Sequence, residues 1–303
     1  MKRSVTGSRV VPRDEHAPPT SAVVSAGLEA RAVSLRAGGL AHGRLLVECC
    51  SFRVQAGERW LVLGPNGAGK SSLLAALAGV FPVSDGLVLI DGRPLDAWSG
   101  PALADRRAWC PQFWSDPFPA SVRETLALAR ERARWWPGVR SERDAEVDAW
   151  VARLDLEGLD RADVRTLSGG ERQRVALGTT LLQQAPVVLL DEPASHLDLR
   201  HRQLLLGLLL EHVAQGGSVI ACVHDLDLAW ALATHVLLLD GRGACIAGAR
   251  ADVMTADRLG AAFGVDIEVL DALGRRRFSV AIGAPGSDPA APRRAVGAAS
   301  SLR

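Results

Sequence analysis

Three features of the sequence predict an α/β fold with a mostly parallel central sheet. Between about residues 27 and 282, short apolar runs alternate with helical stretches, the pattern of strands joined by crossover helices. Three of these runs, RWLVLG (59–64), PVVLLDEP (186–193) and SVIACVHD (218–225), end in glycine or polar residues, and parallel sheets hold their ligands at the C-terminal ends of strands. The first run passes directly into GPNGAGKSS (64–72) and then an apolar helix, the strand–loop–helix order of a phosphate-binding loop.

Taken in order, residues 1–26 combine Pro, Ser, Arg and Ala without periodicity and are expected to be disordered. The tail 283–303 reads the same way. The run 59–64 is a strand, and SSLLAALAGV (71–80) is the helix behind its loop. From about 113 to 165 the alternation breaks: DPFPASV is followed by the charge-and-apolar patterns VRETLALARERARWW and SERDAEVDAWVARLDL. That predicts an inserted helical subdomain whose tryptophans are core residues. PVVLLDEP is apolar at four successive positions, as in a strand buried on both faces. The expected organisation is one domain over 27–282 between two disordered extensions. No internal repeat is visible.

Bulk properties narrow the function. With 35 basic and 34 acidic residues the formal charge is +1, so no general attraction draws the chain to nucleic acid or an anionic membrane. The N-terminus lacks the apolar run of a secretory signal, and no stretch approaches the roughly 20 apolar residues of a membrane span. A cytosolic chain is expected, with any membrane work done through another chain. Five cysteines at 49, 50, 110, 222 and 245 form no C-x-x-C pair and are expected to be reduced thiols packed as small apolar groups.

Gly64, Pro65, Asn66, Gly67, Ala68, Gly69, Lys70 and Ser71, followed by Ser72, fit G-x-x-x-x-G-K-[ST]. The glycines let consecutive backbone N–H groups converge on phosphate oxygens, and the helix adds its positive end. Lys70 is one of two lysines in the chain, the other being Lys2, against 33 arginines. A compact ammonium fits inside a loop wrapped around phosphates where a broad planar guanidinium would not. Asp191, at the end of its strand, can hold Mg²⁺ together with the Ser71 hydroxyl, since this cation takes oxygen ligands and substrate phosphates. Glu192 is placed to orient or deprotonate a water attacking the γ-phosphate. In LSGGERQRVAL (167–177), Ser168 and Glu171 form a capping box. Gly169 and Gly170 add nothing to a cap and cost a helix about 1 kcal/mol each, which points to close backbone approach to an anion.

With these parts in this order the sequence resembles the ATP-binding-cassette (ABC) ATPases over about residues 27–270: GPNGAGKS, Gln112 in CPQFW, LSGGERQ, LLDEP, SHLD (195–198) and VHD (223–225). The resemblance implies a P-loop NTPase of ABC type, with a mostly parallel core sheet, an antiparallel β region and the inserted helical subdomain. It implies ATP and Mg²⁺ as cofactors and a head-to-tail homodimer sandwiching two nucleotides. In that arrangement Leu167, Ser168, Gly169, Gly170 and Glu171 form the signature that caps the γ-phosphate held at the partner subunit's Lys70. Gln112 reaches Mg²⁺ and the attacking water, Asp198 acts across the dimer interface, and His224 touches the γ-phosphate and helps fix the water. Taken singly, Gln112 would be a surface residue, Asp198 a helix cap and His224 a strand-end histidine.

One departure stands out. Many relatives stack adenine on an aromatic side chain before the phosphate loop, whereas this chain has no tyrosine. VSLRAGGLAHGRLLVECC offers His42 or Arg36 instead, so weaker base selectivity is expected. One phosphate loop and one signature exclude a tandem cassette. About 97 residues without heptads separate the two motifs, unlike the long coiled coil of chromosome-maintenance relatives. A detached subunit serving a membrane permease remains. SHLDLRHR (195–202), DPFPASVRETLALAR and the run 223–265 resemble importers of metal chelates, a group in which ferric siderophore, haem and vitamin B12 are not distinguished. That reading places the chain at the cytoplasmic face of the cell membrane with an extracytoplasmic substrate-binding protein and no nucleic acid. The segment 113–118 then either receives a permease helix or packs on its own domain. The alternative function is a soluble ABC ATPase acting in translation or DNA maintenance. Glu192 argues against a regulator without turnover.

Overall fold

The structure is a computed structural model that describes residues 27–37, 42–129, 140–272 and 275–281. The two extensions expected to be disordered lie outside the described residues, as do Trp135 and Trp136 of the helical segment.

β1 (Leu28–Arg36) and β2 (Leu45–Val54) pair antiparallel, and β3 (Arg59–Leu63) runs into the phosphate loop and α1 (Lys70–Leu77). β4 (Asp85–Ile90) and the short β5 (Arg93–Pro94) complete a four-stranded antiparallel sheet in the order β2-β1-β4-β5. After α2 (Gly100–Ala104) and β6 (Arg107–Cys110) come the helices of the insertion, α3 (Val122–Leu128) and α4 (Arg140–Arg153), and then α5 (Gly169–Leu182). Five elements alternate next: β7 (Val187–Asp191), α6 (Leu199–Ala214), β8 (Ser218–Cys222), α7 (Leu226–Leu232) and β9 (His235–Leu239). β10 (Cys245–Ala249), α8 (Arg250–Val253) and α9 (Ala256–Phe263) precede a terminal hairpin of β11 (Ile267–Ala272) and β12 (Arg275–Val280).

The central sheet has the order β10-β9-β3-β8-β7-β6, parallel throughout except for β10. Side chains of a strand alternate between faces, and this alternation divides the core in two. Leu61, Leu63, Val188 and Leu190 face one cluster, shared with α5, α6 and the insertion. Trp60, Val62, Val187 and Leu189 face the other, shared with α1 and the antiparallel sheet. The strand β7 is therefore buried on both sides, and Leu189 has no exposed surface. Leu189→Ala should cost about 2–5 kcal/mol of unfolding free energy, read as a lower denaturant midpoint.

Trp114 and Trp150 are partly buried against the first cluster. Cys110 and Cys222 are buried free thiols, as expected, and Cys49 is free and exposed. The expectation of reduced thiols fails for the other two. Cys50 on β2 and Cys245 on β10 are joined as a disulfide between the antiparallel sheet and the central one, across 195 residues of sequence. The fold places them face to face, and no local pattern could.

Candidate active site

The site forms where β3, β7 and β8 end side by side. Gly64 leaves β3 with φ 144°, and a Cβ there would lie 2.4 Å from the Leu239 carbonyl oxygen of β9. Only glycine lets the chain turn away at that point. Gly69, at φ 97°, starts α1 with no side-chain cap, so the first helical N–H groups remain available to an anion. Lys70 is 6% exposed, and its Nζ donates to the carbonyls of Gly64 (2.8 Å) and Pro65 (3.1 Å). The ammonium curls back inside its own loop, a geometry suited to a slender stem and not to a planar fork. Burial lowers the Lys70 pKa, while the carboxylates of Glu192 and Asp191 oppose the shift.

Asp191 closes β7 and is 3% exposed, and its Oδ1 accepts no hydrogen bond. Burial raises its pKa, with the Ser71 hydroxyl beside it pulling the other way. An oxygen-only ligand set with an orphaned buried carboxylate oxygen fits Mg²⁺, which takes one or two carboxylates plus phosphate and water. Among the described residues there is no group of three or more His, Cys, Asp or Glu that could hold a metal ion.

Glu192 follows at φ 51°, an uncommon conformation for a residue with a side chain. Its backbone carbonyl accepts from the N–H (3.0 Å) and hydroxyl (2.8 Å) of Ser195. Its carboxylate accepts from Gln112 Nε2 at 3.0 Å on Oε2 and lies 2.5 Å from His224 Nε2 on Oε1. Gln112 and His224, from separate segments, thus meet on one carboxylate. Behind Glu192 and His224 lies a cavity of about 140 Å³ also lined by Cys222, Asp225 and Arg202, enough for a few waters.

The remaining sequence candidates sit apart from this cluster. Ser168 caps α5, with its N–H on Glu171 Oε2 (2.8 Å) and its hydroxyl receiving the Glu171 N–H (3.4 Å). Leu167 is the residue before the cap. A Cβ on Gly170 would come within 3.0 Å of the His196 carbonyl oxygen, which gives that glycine a reason inside its own chain as well. Asp198 caps α6, accepting from the His201 N–H at 2.9 Å and lying 2.8 Å from its Nδ1. Arg36 donates to the Gly43 carbonyl (3.1 Å), and His42 is exposed in the turn after β1.

Sequence reasoning missed three contributors. Arg44 Nη2 donates to the Gly67 carbonyl at 2.8 Å, laying a guanidinium against the phosphate loop. Gln173, 6% exposed, donates to the Pro193 carbonyl at 3.3 Å and ties α5 to the turn after Glu192. Arg172 Nε holds Asp116 Oδ2 at 2.6 Å, linking α5 to the loop after Gln112. Gln173 could have been found from its place in LSGGERQ, but nothing local marks Arg44 or Asp116.

A buried ammonium and a buried carboxylate facing one glycine-rich loop, at the ends of parallel strands, are built for a nucleotide triphosphate. The fold and the site together define a P-loop nucleotide-binding protein. Comparison with known proteins narrows the class. The profile of the ABC transporter family matches residues 47–195. The hemin import ATP-binding protein HmuV of Streptomyces coelicolor is 41% identical over 88% of this chain and 94% of its own length. HmuV of Nocardia farcinica is 40% identical over 78% and 82%. Among solved structures, an inward-facing metal-chelate type ABC transporter shares the fold with TM-score 0.68 and 24% identity, over 84% of this chain and 96% of that one. The chain belongs to the ATP-binding subunits of ABC transporters, which bind ATP and hydrolyse it to power transport.

Proposed function

We propose that this chain is the ATP-hydrolysing subunit of an importer for an iron chelate, with haem as the favoured cargo. The observation that carries the reading is the near full-length similarity to hemin import ATP-binding proteins. Uptake of labelled haem, ferric siderophore and vitamin B12 by cells lacking this gene tests it. Loss confined to haem is expected, and loss confined to vitamin B12 contradicts the cargo assignment.

In this reading the loop N–H groups and Lys70 bind the phosphates, Ser72 and the remaining loop residues shape the cradle, and Glu192 takes the proton of the attacking water while His224 and Gln112 hold its carboxylate in place. Mg²⁺, held by Asp191, Ser71 and Gln112, would neutralise charge on the phosphates. Ser168, Gly169 and Gly170 of one protomer cap the nucleotide of the other in a homodimer, with Leu167 and Glu171 shaping that turn and Asp198 at the interface. Support comes from Ser168, which opens α5 as its N-cap, and from Lys70, whose ammonium turns into its own loop.

Among the described residues no helix is long and apolar enough to cross a membrane, and in this reading a separate permease carries the transport path. Phe113 and Phe118 are each 77% exposed, and they favour docking of that permease on the segment 113–118 over packing within the domain. The Asp116–Arg172 pair would carry its movement to the signature helix. In this setting the chain sits at the cytoplasmic face of the membrane and works with an extracytoplasmic substrate-binding protein.

Asp191→Asn removes a buried, poorly compensated charge. The unliganded variant should melt at or above the wild-type temperature yet gain little from MgATP. A wild-type MgATP shift in thermal melting would remove Asp191 from the cation site.

A further inference from the structure

His224 is the last residue before Asp225, the N-cap of α7, whose carboxylate receives the Leu228 N–H at 3.0 Å. The pose of α7 therefore sets where His224 points. Along α7 Ala229 is buried, and Leu226, Trp230 and Leu232 pack against the first core cluster, so the core anchors the body of the helix and the contacts at its two ends fix its pose. Its C-terminal end is tied to β3, where the Thr234 N–H donates to the Arg59 carbonyl at 2.9 Å. Its N-terminal end, the one that carries His224, is held by the terminal hairpin.

That hold is specific. Asp227 Oδ1 accepts the Phe278 N–H at 2.9 Å, and its Oδ2 accepts Arg277 Nη1 at 2.7 Å. One turn on, the Trp230 ring lies 4.5 Å from the Arg276 guanidinium and 5.9 Å from the Phe278 ring. Arg276 is fixed in turn by two 2.8 Å bonds to Asp271 across the hairpin. Asp227 and Trp230 stand three apart and so share one face of α7, the face that β12 grips. The hairpin lies beyond the segment 47–195 that matches the family profile.

We propose that the β11–β12 hairpin is a clamp on α7 that holds His224 against Glu192, and that Asp227 is its principal positioning residue. The inference rests on the reading of Glu192 and His224 as the hydrolytic pair. Because a small displacement of a catalytic group costs rate more than binding, a loosened clamp should act on turnover.

The test uses the full chain and steady-state ATP hydrolysis. Asp227→Ala is expected to lower kcat about tenfold with the KM for ATP unchanged. Asp227→Asn, which keeps an acceptor for the Phe278 N–H, should recover most of the rate. Arg277→Ala, at a side chain 59% exposed, removes one arm without threatening the fold and should give a smaller loss of the same kind. In a His224→Ala background, Asp227→Ala should cause no further loss, since both changes remove one interaction. Unchanged kcat in Asp227→Ala and Arg277→Ala, or losses that multiply with His224→Ala, would overturn the clamp. If His224→Ala alone leaves turnover intact, the hydrolytic reading itself fails and takes the clamp with it.

Discussion

Glu192→Gln is expected to slow ATP hydrolysis by about 10²–10⁴-fold, the scale of a lost general base, while ATP binding persists. The substitution keeps the size of the side chain and one acceptor oxygen, so the contacts to Gln112 and His224 need little rearrangement. An amide cannot take a proton from water, so the chemical step alone should suffer. The phosphate loop and Lys70 belong to another segment, and Asp191 is fixed as the last residue of β7, so they stay as they are. Turnover is read from phosphate release and binding from titration with a fluorescent ATP analogue. Wild-type turnover in this variant would exclude Glu192 from the chemistry.

Lys70→Ala should act earlier, at binding. Removing one partner of a buried charge-assisted contact costs about 2–5 kcal/mol, roughly 30- to 4,000-fold in Kd. Alanine leaves the phosphate charge uncompensated and strips the Gly64 and Pro65 carbonyls of their donor. Lys70→Arg should fare badly too, because the planar fork has no room at a position 6% exposed inside the loop. Equal affinity for MgATP in Lys70→Arg and wild type would show that charge alone, and not the shape of the ammonium, explains a lysine in this arginine-rich chain.

How far the sequence could be read depended on whether the physical cause was local. Gly64 announces itself because only glycine can leave β3 under the Leu239 carbonyl, and the apolar run 187–190 announces a strand buried on both faces. The capping box at Ser168 is likewise local, satisfying helix N–H groups within three residues. Gln112 and His224 were legible only through motif order, since what makes them functional is their meeting on Glu192, 80 and 32 residues away.

Long-range pairings were invisible for the same reason. The Cys50–Cys245 bridge depends on β2 and β10 lying together, and the Asp116–Arg172 pair depends on how α5 docks beside the loop after β6. The β11–β12 hairpin escaped because two strands alone are marginal. In the fold it is fixed by contact with α7, through Asp227 and Trp230, together with the Asp271–Arg276 pair across its own strands.

We propose that each nucleotide site is completed by two copies of the chain, one supplying Lys70 and the other Ser168. Sedimentation of the Glu192→Gln variant with and without MgATP reads this out. Conversion from monomer to dimer on adding MgATP, abolished by a further Ser168→Arg change, is the expected result. A variant saturated with MgATP that stays monomeric would contradict the account.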